Sequence, residues 1–138
     1  MTRGRGLFMA AGLIGLLAAA PAMAQKRDDC SAKENQADLN ACYGQEYQRA
    51  DATLNQIYKQ LMAKLTDAAD QALLKTAEEA WIGFRDKECD FETVGTRDGS
   101  VHPMVVSICL TDKTNAHITE LKAQLNCPEG DLGCVHAH

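Results

Sequence analysis

Positive charge is in short supply. Fourteen Lys and Arg stand against nineteen Asp and Glu, a formal net charge of −5 over 138 residues. Such a chain has nothing with which to neutralise a row of phosphates, so nucleic-acid binding is excluded as a function class. The length allows one domain and not comfortably two. Motifs that carry chemistry are missing as well. There is no G-x-S-x-G nucleophile elbow and no phosphate-cradling loop. After residue 24, Ser occurs only at 31, 100 and 107, so nucleophilic catalysis finds no support. No C-x-x-C is present, which argues against thiol–disulfide exchange and against a structural zinc site. Strand-like alternation of useful length and internal repeats are absent too.

One long apolar run exists, from Leu7 to Ala20. It falls short of the ~20 residues that a membrane span needs. Arg3 and Arg5 precede it, Pro21 breaks it, and Ala22-Met23-Ala24 stands before Gln25. This is the pattern of a cleaved signal peptide over residues 1–24, with a periplasmic or secreted product. No Cys stands at the cleavage site to carry a lipid. Loss of Arg3 and Arg5 takes the net charge from −5 to −7. The remaining apolar residues are rich in Ala, so the core is expected to be thin and to benefit from covalent staples.

The six Cys, at 30, 42, 89, 109, 127 and 134, all follow the apolar run. An even count in an exported chain reads as three disulfides. Between and around them, apolar residues recur by threes and fours. The first helix is predicted from about Asn35 to Leu65, with Leu39, Tyr43, Tyr47, Ala50, Leu54, Ile57, Leu61 and Leu65 as its stripe. Asn35 is the candidate N-cap. The second is predicted from about Asp70 to Glu92, with a stripe of Leu73, Ala77, Trp81, Phe84 and Phe91. The third is predicted from about His102 to Asn126, capped by Ser100 with Pro103 in its first turn. Its apolar contacts are Met104, Val105, Ile108, Ile118, Leu121 and Leu125. The fold class is therefore all-α, a small disulfide-stapled three-helix bundle. Its first two helices form an αα-hairpin, because their connection is so short. Residues 25–126 make the helical domain, and 127–138, with Pro128, Gly130 and Gly133, an irregular tail.

Antiparallel register gives more. With the first turn centred near residue 68, Asp51 faces Arg85, Asn55 faces Trp81 and Tyr58 faces Glu78. Asp51 lies at the edge of the apolar stripe, where an unpaired carboxylate is costly. Arg85 is its natural bidentate partner, with Trp81 packed on the guanidinium. Asp51, Asn55, Trp81 and Arg85 are thus expected to form a structural polar cluster, and no enzymatic site is expected. Across the second loop, centred near 97 or 98, Cys89 faces Cys109. Cys42 and Cys89 are out of register for the first hairpin. That leaves Cys30–Cys42 as a tether of the N-terminal arm and Cys127–Cys134 as a tail loop, one of 15 possible connectivities. His136-x-His138 beside Cys134 invites a metal reading, but two imidazoles on a flexible tail lack a surrounding shell. No metal and no cofactor is expected. His102 and His117 look isolated.

At these residues the sequence resembles the lysozyme inhibitor LprI-like family of small bacterial exported proteins. The matching segments are Cys30, Asn35 to Cys42, Asp51 to Tyr58 (D-x-x-L-N-x-x-Y), Ala80 to Cys89 (W-x-x-x-R-D-x-x-C), Gly99-Ser100 and Cys109. Leu54 and Tyr58 join the structural motif on this basis. The resemblance spans about Cys30 to Leu125 and implies a compact helical exported protein, with lysozyme inhibition attributed to some members. One departure stands out: His117 occupies the position of the Arg in the family's T-x-x-R stretch, here Thr114 to His117. The Cys127/Cys134 tail lies outside the pattern. If the protein blocks a lysozyme, a −7 chain is steered toward a basic partner. The best candidate surface is the loop over residues 93–102, with Arg97, Asp98, Ser100 and His102 at its tip. An Arg or a Ser hydroxyl there could reach the paired carboxylates of a glycosidase cleft. The alternative is a periplasmic accessory module that binds another envelope protein. Neither reading calls for nucleic acid or for stable membrane insertion.

Overall fold

A computed structural model describes residues 29–128 and 130–135. The signal segment and the His136/His138 pair lie outside the described residues. Three helices carry the fold: α1 (Gln36–Lys64), α2 (Ala68–Glu92) and α3 (His102–Leu125), with short 3-10 turns at Cys30–Ala32 and Val94–Thr96. No strand occurs among the described residues, and none of their helices is long and apolar enough to cross a membrane.

The helix boundaries follow from local chemistry. Asn35 caps α1 by accepting from the Asp38 amide, 2.9 Å away. Asp67 caps α2 by accepting from the amides of Ala69 and Asp70, so this helix begins at Ala68, two residues earlier than periodicity suggested. The expected Ser100 cap of α3 does not form. Val101 takes that place without a side-chain bond, while the Ser100 carbonyl accepts from Asn40 Nδ2 of α1 at 2.9 Å.

α1 runs antiparallel to α2, but its close partner is α3. Those two run parallel: Asn40 reaches the start of α3, and Lys64 Nζ donates to the Leu125 carbonyl at its end. Ala50 of α1 and Thr114 of α3 are both buried, and side chains this small let helix axes approach. Below them lies the apolar core, Leu54, Ile57 and Leu61 against Ile118 and Leu121, with Tyr58, Leu74, Trp81 and Leu125 packed around it.

The stripe expected on α2 is displaced. Leu73, Phe84 and Phe91 are 69, 58 and 77 % exposed, and the buried residues are Glu78, Arg85 and Cys89. Leu74 and Trp81 continue this inner line at spacings of three and four. Two constraints fix the rotation. Cys89 must meet Cys109, and Arg85 must reach α1 and α3, so the helix turns a polar face inward.

Three disulfides, Cys30–Cys42, Cys89–Cys109 and Cys127–Cys134, tie the arm to α1, α2 to α3, and the tail to itself. The first two lie toward the upper end, where α1 and α3 begin. The third lies at the lower end, where they finish.

Candidate functional site

Two constellations invite a functional reading, the buried polar face of α2 and the loop above it. Arg85 is the hub of the first. Its side chain is 4 % exposed. The guanidinium carbon lies 5.4 Å from the Tyr47 ring centre and 5.2 Å from that of Trp81, a cation–π contact on two sides. Nη1 donates to Thr114 Oγ1 at 3.3 Å and stands 3.6 Å from Asp51 Oδ1. Nε and Nη2 both point at Asp86 Oδ1, 2.9 Å away. Asp51 is therefore not the bidentate partner that register suggested. The tight contact belongs to Asp86, the next residue in the chain, and Asp51 is held by Asn55 Nδ2 at 3.0 Å. Burial pushes the Tyr47 phenol above its ordinary pKa, and the Arg85 cation offsets this in part.

One turn down α2 the pattern repeats with a histidine. The His117 ring stacks on Trp81, centroids 3.9 Å apart and planes within 11°. Its Nε2 lies 2.8 Å from Glu78 Oε2 and its Nδ1 3.0 Å from Glu120 Oε2. Burial acts to lower the His117 pKa, and the bonds to Glu78 and Glu120 outweigh it, so the net shift is upward. His117 is thus not isolated, and the Arg position of the family pattern here holds a titratable cation. The pair joins α2 to α3 across 39 residues, and no spacing in the sequence announces it. Asp51, Leu54, Asn55 and Tyr58, the D-x-x-L-N-x-x-Y residues, line a shallow groove of about 200 Å³ between α1 and α2, opposite Glu78 and Ile82. Burial raises the Tyr58 phenol pKa, helped by the Glu78 and Glu79 charges.

The loop is a different kind of object. Thr93 is buried, its hydroxyl donating to the Cys89 carbonyl at 2.7 Å. Successive turns follow, with Thr96, Arg97, Gly99 and His102 amides donating to the carbonyls of Thr93, Val94, Thr96 and Gly99. Thr96 Oγ1 lies 3.0 Å from His102 Nδ1. The Cys89–Cys109 bridge closes the base. Of the four residues expected at the tip, Arg97, Asp98 and Ser100 are exposed. His102 is half-buried as the first residue of α3 and is engaged with Thr96, so it does not stand at the tip.

For metal chemistry, Cys127, Asp131 and Cys134 cluster at the lower end, but both sulfurs are spent in a disulfide.

Comparisons with known proteins bear on which constellation matters. The sequence model of the family described as "Lysozyme inhibitor LprI" matches residues 27–121. The chain is 38% identical over 128 residues to the "Uncharacterized protein R02472" of Rhizobium meliloti (strain 1021), covering 83% of this chain and 91% of that one. It is 34% identical over 77 residues to the "Uncharacterized protein YecT" of Escherichia coli (strain K12), covering 45% of this chain and 48% of that one. No solved structure matches.

Proposed function

The chain belongs to the lysozyme inhibitor LprI family, and from that premise we propose that it is an exported helical binding protein that blocks a lysozyme. The family's description supports this class of partner. One observation carries the choice of surface: the turn from Thr93 to His102 is closed by a disulfide at its base and by consecutive internal hydrogen bonds above it. Such a loop loses little freedom on docking, so more of its contact energy appears as affinity. Arg97 projects from it, exposed, with the chemistry to bridge a pair of carboxylates. The −7 charge expected after export steers the chain toward a basic enzyme. Three disulfides among the described residues fit an oxidising compartment.

In this reading the Arg85 cluster is architecture, and the chain is a binder with no turnover of its own. The guanidinium is 4 % exposed and enclosed by two rings, a hydroxyl and two carboxylates, so its contacts are made within the protein.

The test is a lysis assay. Oxidised protein in excess over a basic lysozyme is expected to slow the clearing of a cell-wall suspension. Arg97→Ala is expected to weaken the inhibition by about tenfold or more, the loss typical of a central Arg contact. Undiminished lysis rejects inhibition of that lysozyme class, and full inhibition by the variant rejects the loop. A second reading, an envelope accessory module without inhibitory activity, draws on the exposed Phe84 and Phe91 of α2, which the loop reading leaves unused. It predicts full lysis together with co-purification of an envelope protein.

A further inference from the structure

The lower end of the bundle is left open. There α1 and α3 finish, α2 begins, and between them lies a groove of about 350 Å³. Its floor is apolar and buried, made by Leu61 of α1, Leu65 at its C-cap and Leu121 of α3. Leu73 and Ala77 of α2 form one lip, and Leu73 is 69 % exposed. The opposite wall is Val135, and the chain builds it with some care. The Val135 amide donates to Gln124 Oε1 at 3.2 Å, Gln124 Nε2 donates to the Gly133 carbonyl at 3.2 Å, and the Cys127–Cys134 bridge immediately precedes it. This wall lies beyond residue 121, where the family match ends. The floor and the α2 lip of the groove thus lie within the matched residues, and the Gln124–Val135 wall lies outside them.

Its size falls within the range of small-ligand sites, and its composition is theirs too: apolar surface with few polar groups. The polar group that sets a preference is Asp70, on the rim in the first turn of α2. It forms no ion pair among the described residues. The surroundings reinforce its sign. Asp67 caps the same helix, and these two carboxylates, with the negative ends of α1 and α3, outweigh the positive N-terminus of α2 that also points this way. The nearby Lys64 ammonium is engaged with the Leu125 carbonyl. An anionic head group would meet these charges unfavourably, and a cationic one would be paired.

We propose that this groove binds an amphipathic cation, its apolar body on the leucine floor and its positive head beside Asp70. The site is independent of the loop and of lysozyme inhibition.

Two probes with one tail and opposite heads test it: decylammonium and decanoate, each titrated below its micelle concentration into the oxidised protein carrying 13C-labelled methyl groups. Decylammonium is expected to give saturable shifts confined to the methyls of Leu73, Ala77, Leu121 and Val135. It should bind roughly two- to fivefold more tightly than decanoate, the difference that one partly exposed charge pair supplies. Asp70→Asn is expected to bring the two affinities together, and Ala77→Trp, on an exposed position, to fill the groove and abolish both. Shifts that do not saturate, shifts spread over the rest of the molecule, or decanoate binding as tightly as decylammonium to the native protein would each overturn the proposal.

Discussion

The two halves of this bundle are held by different physics. In the lower half, Leu54, Ile57 and Leu61 meet Ile118 and Leu121 in a conventional apolar core. Above Ala50, the buried side chains are Cys30, Cys42, Cys89, Arg85, Thr93 and Thr114, and the larger apolar residues Tyr43, Tyr47, Met104, Val105 and Ile108 are only half-buried. The lower half loses stability gradually when a side chain is trimmed, because a cavity can partly collapse. The upper half is an enclosed charge and two covalent crosslinks, each of which works as a unit or not at all. The face that presents the loop is thus the half whose rigidity comes from specific pairs and not from apolar volume.

The sharpest break of this contrast is at Arg85. Arg85→Ala leaves Asp51 and Asp86 without their cation and Thr114 without its donor, and opens a void between Tyr47 and Trp81. A loss of about 2–4 kcal/mol is expected, from the void and the buried Thr114 hydroxyl left without its partner, since Asp51 and Asp86 are 41 and 54 % exposed and keep their water. Arg85→Met, which fills the volume without the charge, should recover only part of this, since Thr114 stays without its donor and the Tyr47 and Trp81 rings without their cation. Leu61→Met in the lower half is expected to cost under about 1.5 kcal/mol. Urea unfolding of the three variants measures the comparison. Equal losses for Arg85→Met and Leu61→Met would show that the upper half, too, is held by volume.

The same contrast explains what the sequence made legible. The α1 stripe from Ala50 to Leu65 and the Asn35 cap follow directly from apolar spacing and cap chemistry. The lower core was readable for the same reason. On α2 the rule failed, because Leu73, Ala77, Phe84 and Phe91 are as well spaced as the residues that turn inward. What chose between the faces was the need of Cys89 and Arg85 for partners on α3 and α1, a tertiary demand that periodicity does not express. The Arg85–Asp86 contact was hidden by a sound generalisation, that neighbours at i and i+1 on a helix do not face each other. A long guanidinium curling back escapes it. The His117–Glu78 pair joins residues 39 apart in sequence and has no motif of its own.

A second test separates crosslink from charge within the upper half. Cys89→Ser with Cys109→Ser opens a loop of 20 residues. Loop-closure entropy assigns such a bridge about 3 kcal/mol, less whatever structure the unfolded chain retains. If the loop's own hydrogen bonds suffice to hold its shape, amide exchange at Thr96, Arg97 and Gly99 in the reduced variant stays as slow as global unfolding allows. The expected result is faster local exchange there than in α1, because the base of the loop is no longer closed. Equal protection would move the rigidity of the loop from the disulfide to the Thr93–His102 bonds.

The smallest effect concerns the joint between the halves, where His117 lies against Glu78 of α2, Glu120 of its own helix and the Trp81 ring, with Glu78 and Tyr58 of α1 lining one groove. Its folded-state pKa is raised, the bonds to the two glutamates outweighing burial. A group raised in this way contributes stability that is fully present below its unfolded pKa of about 6.5 and is lost as pH climbs through the higher folded value. The protein is therefore expected to lose stability above about pH 6.5 as the imidazolium deprotonates. The loss should be on the order of 1 kcal/mol, the difference between a charge-assisted and a neutral hydrogen bond. His117→Arg keeps a cation at every such pH and should flatten the dependence, whereas His117→Gln should flatten it at the lower level. The measurement is the urea midpoint of the three proteins from pH 5 to pH 9. Parallel curves for native protein and His117→Gln would place the pH dependence elsewhere and leave the Trp81 stack, not the charge, as what His117 contributes to the joint.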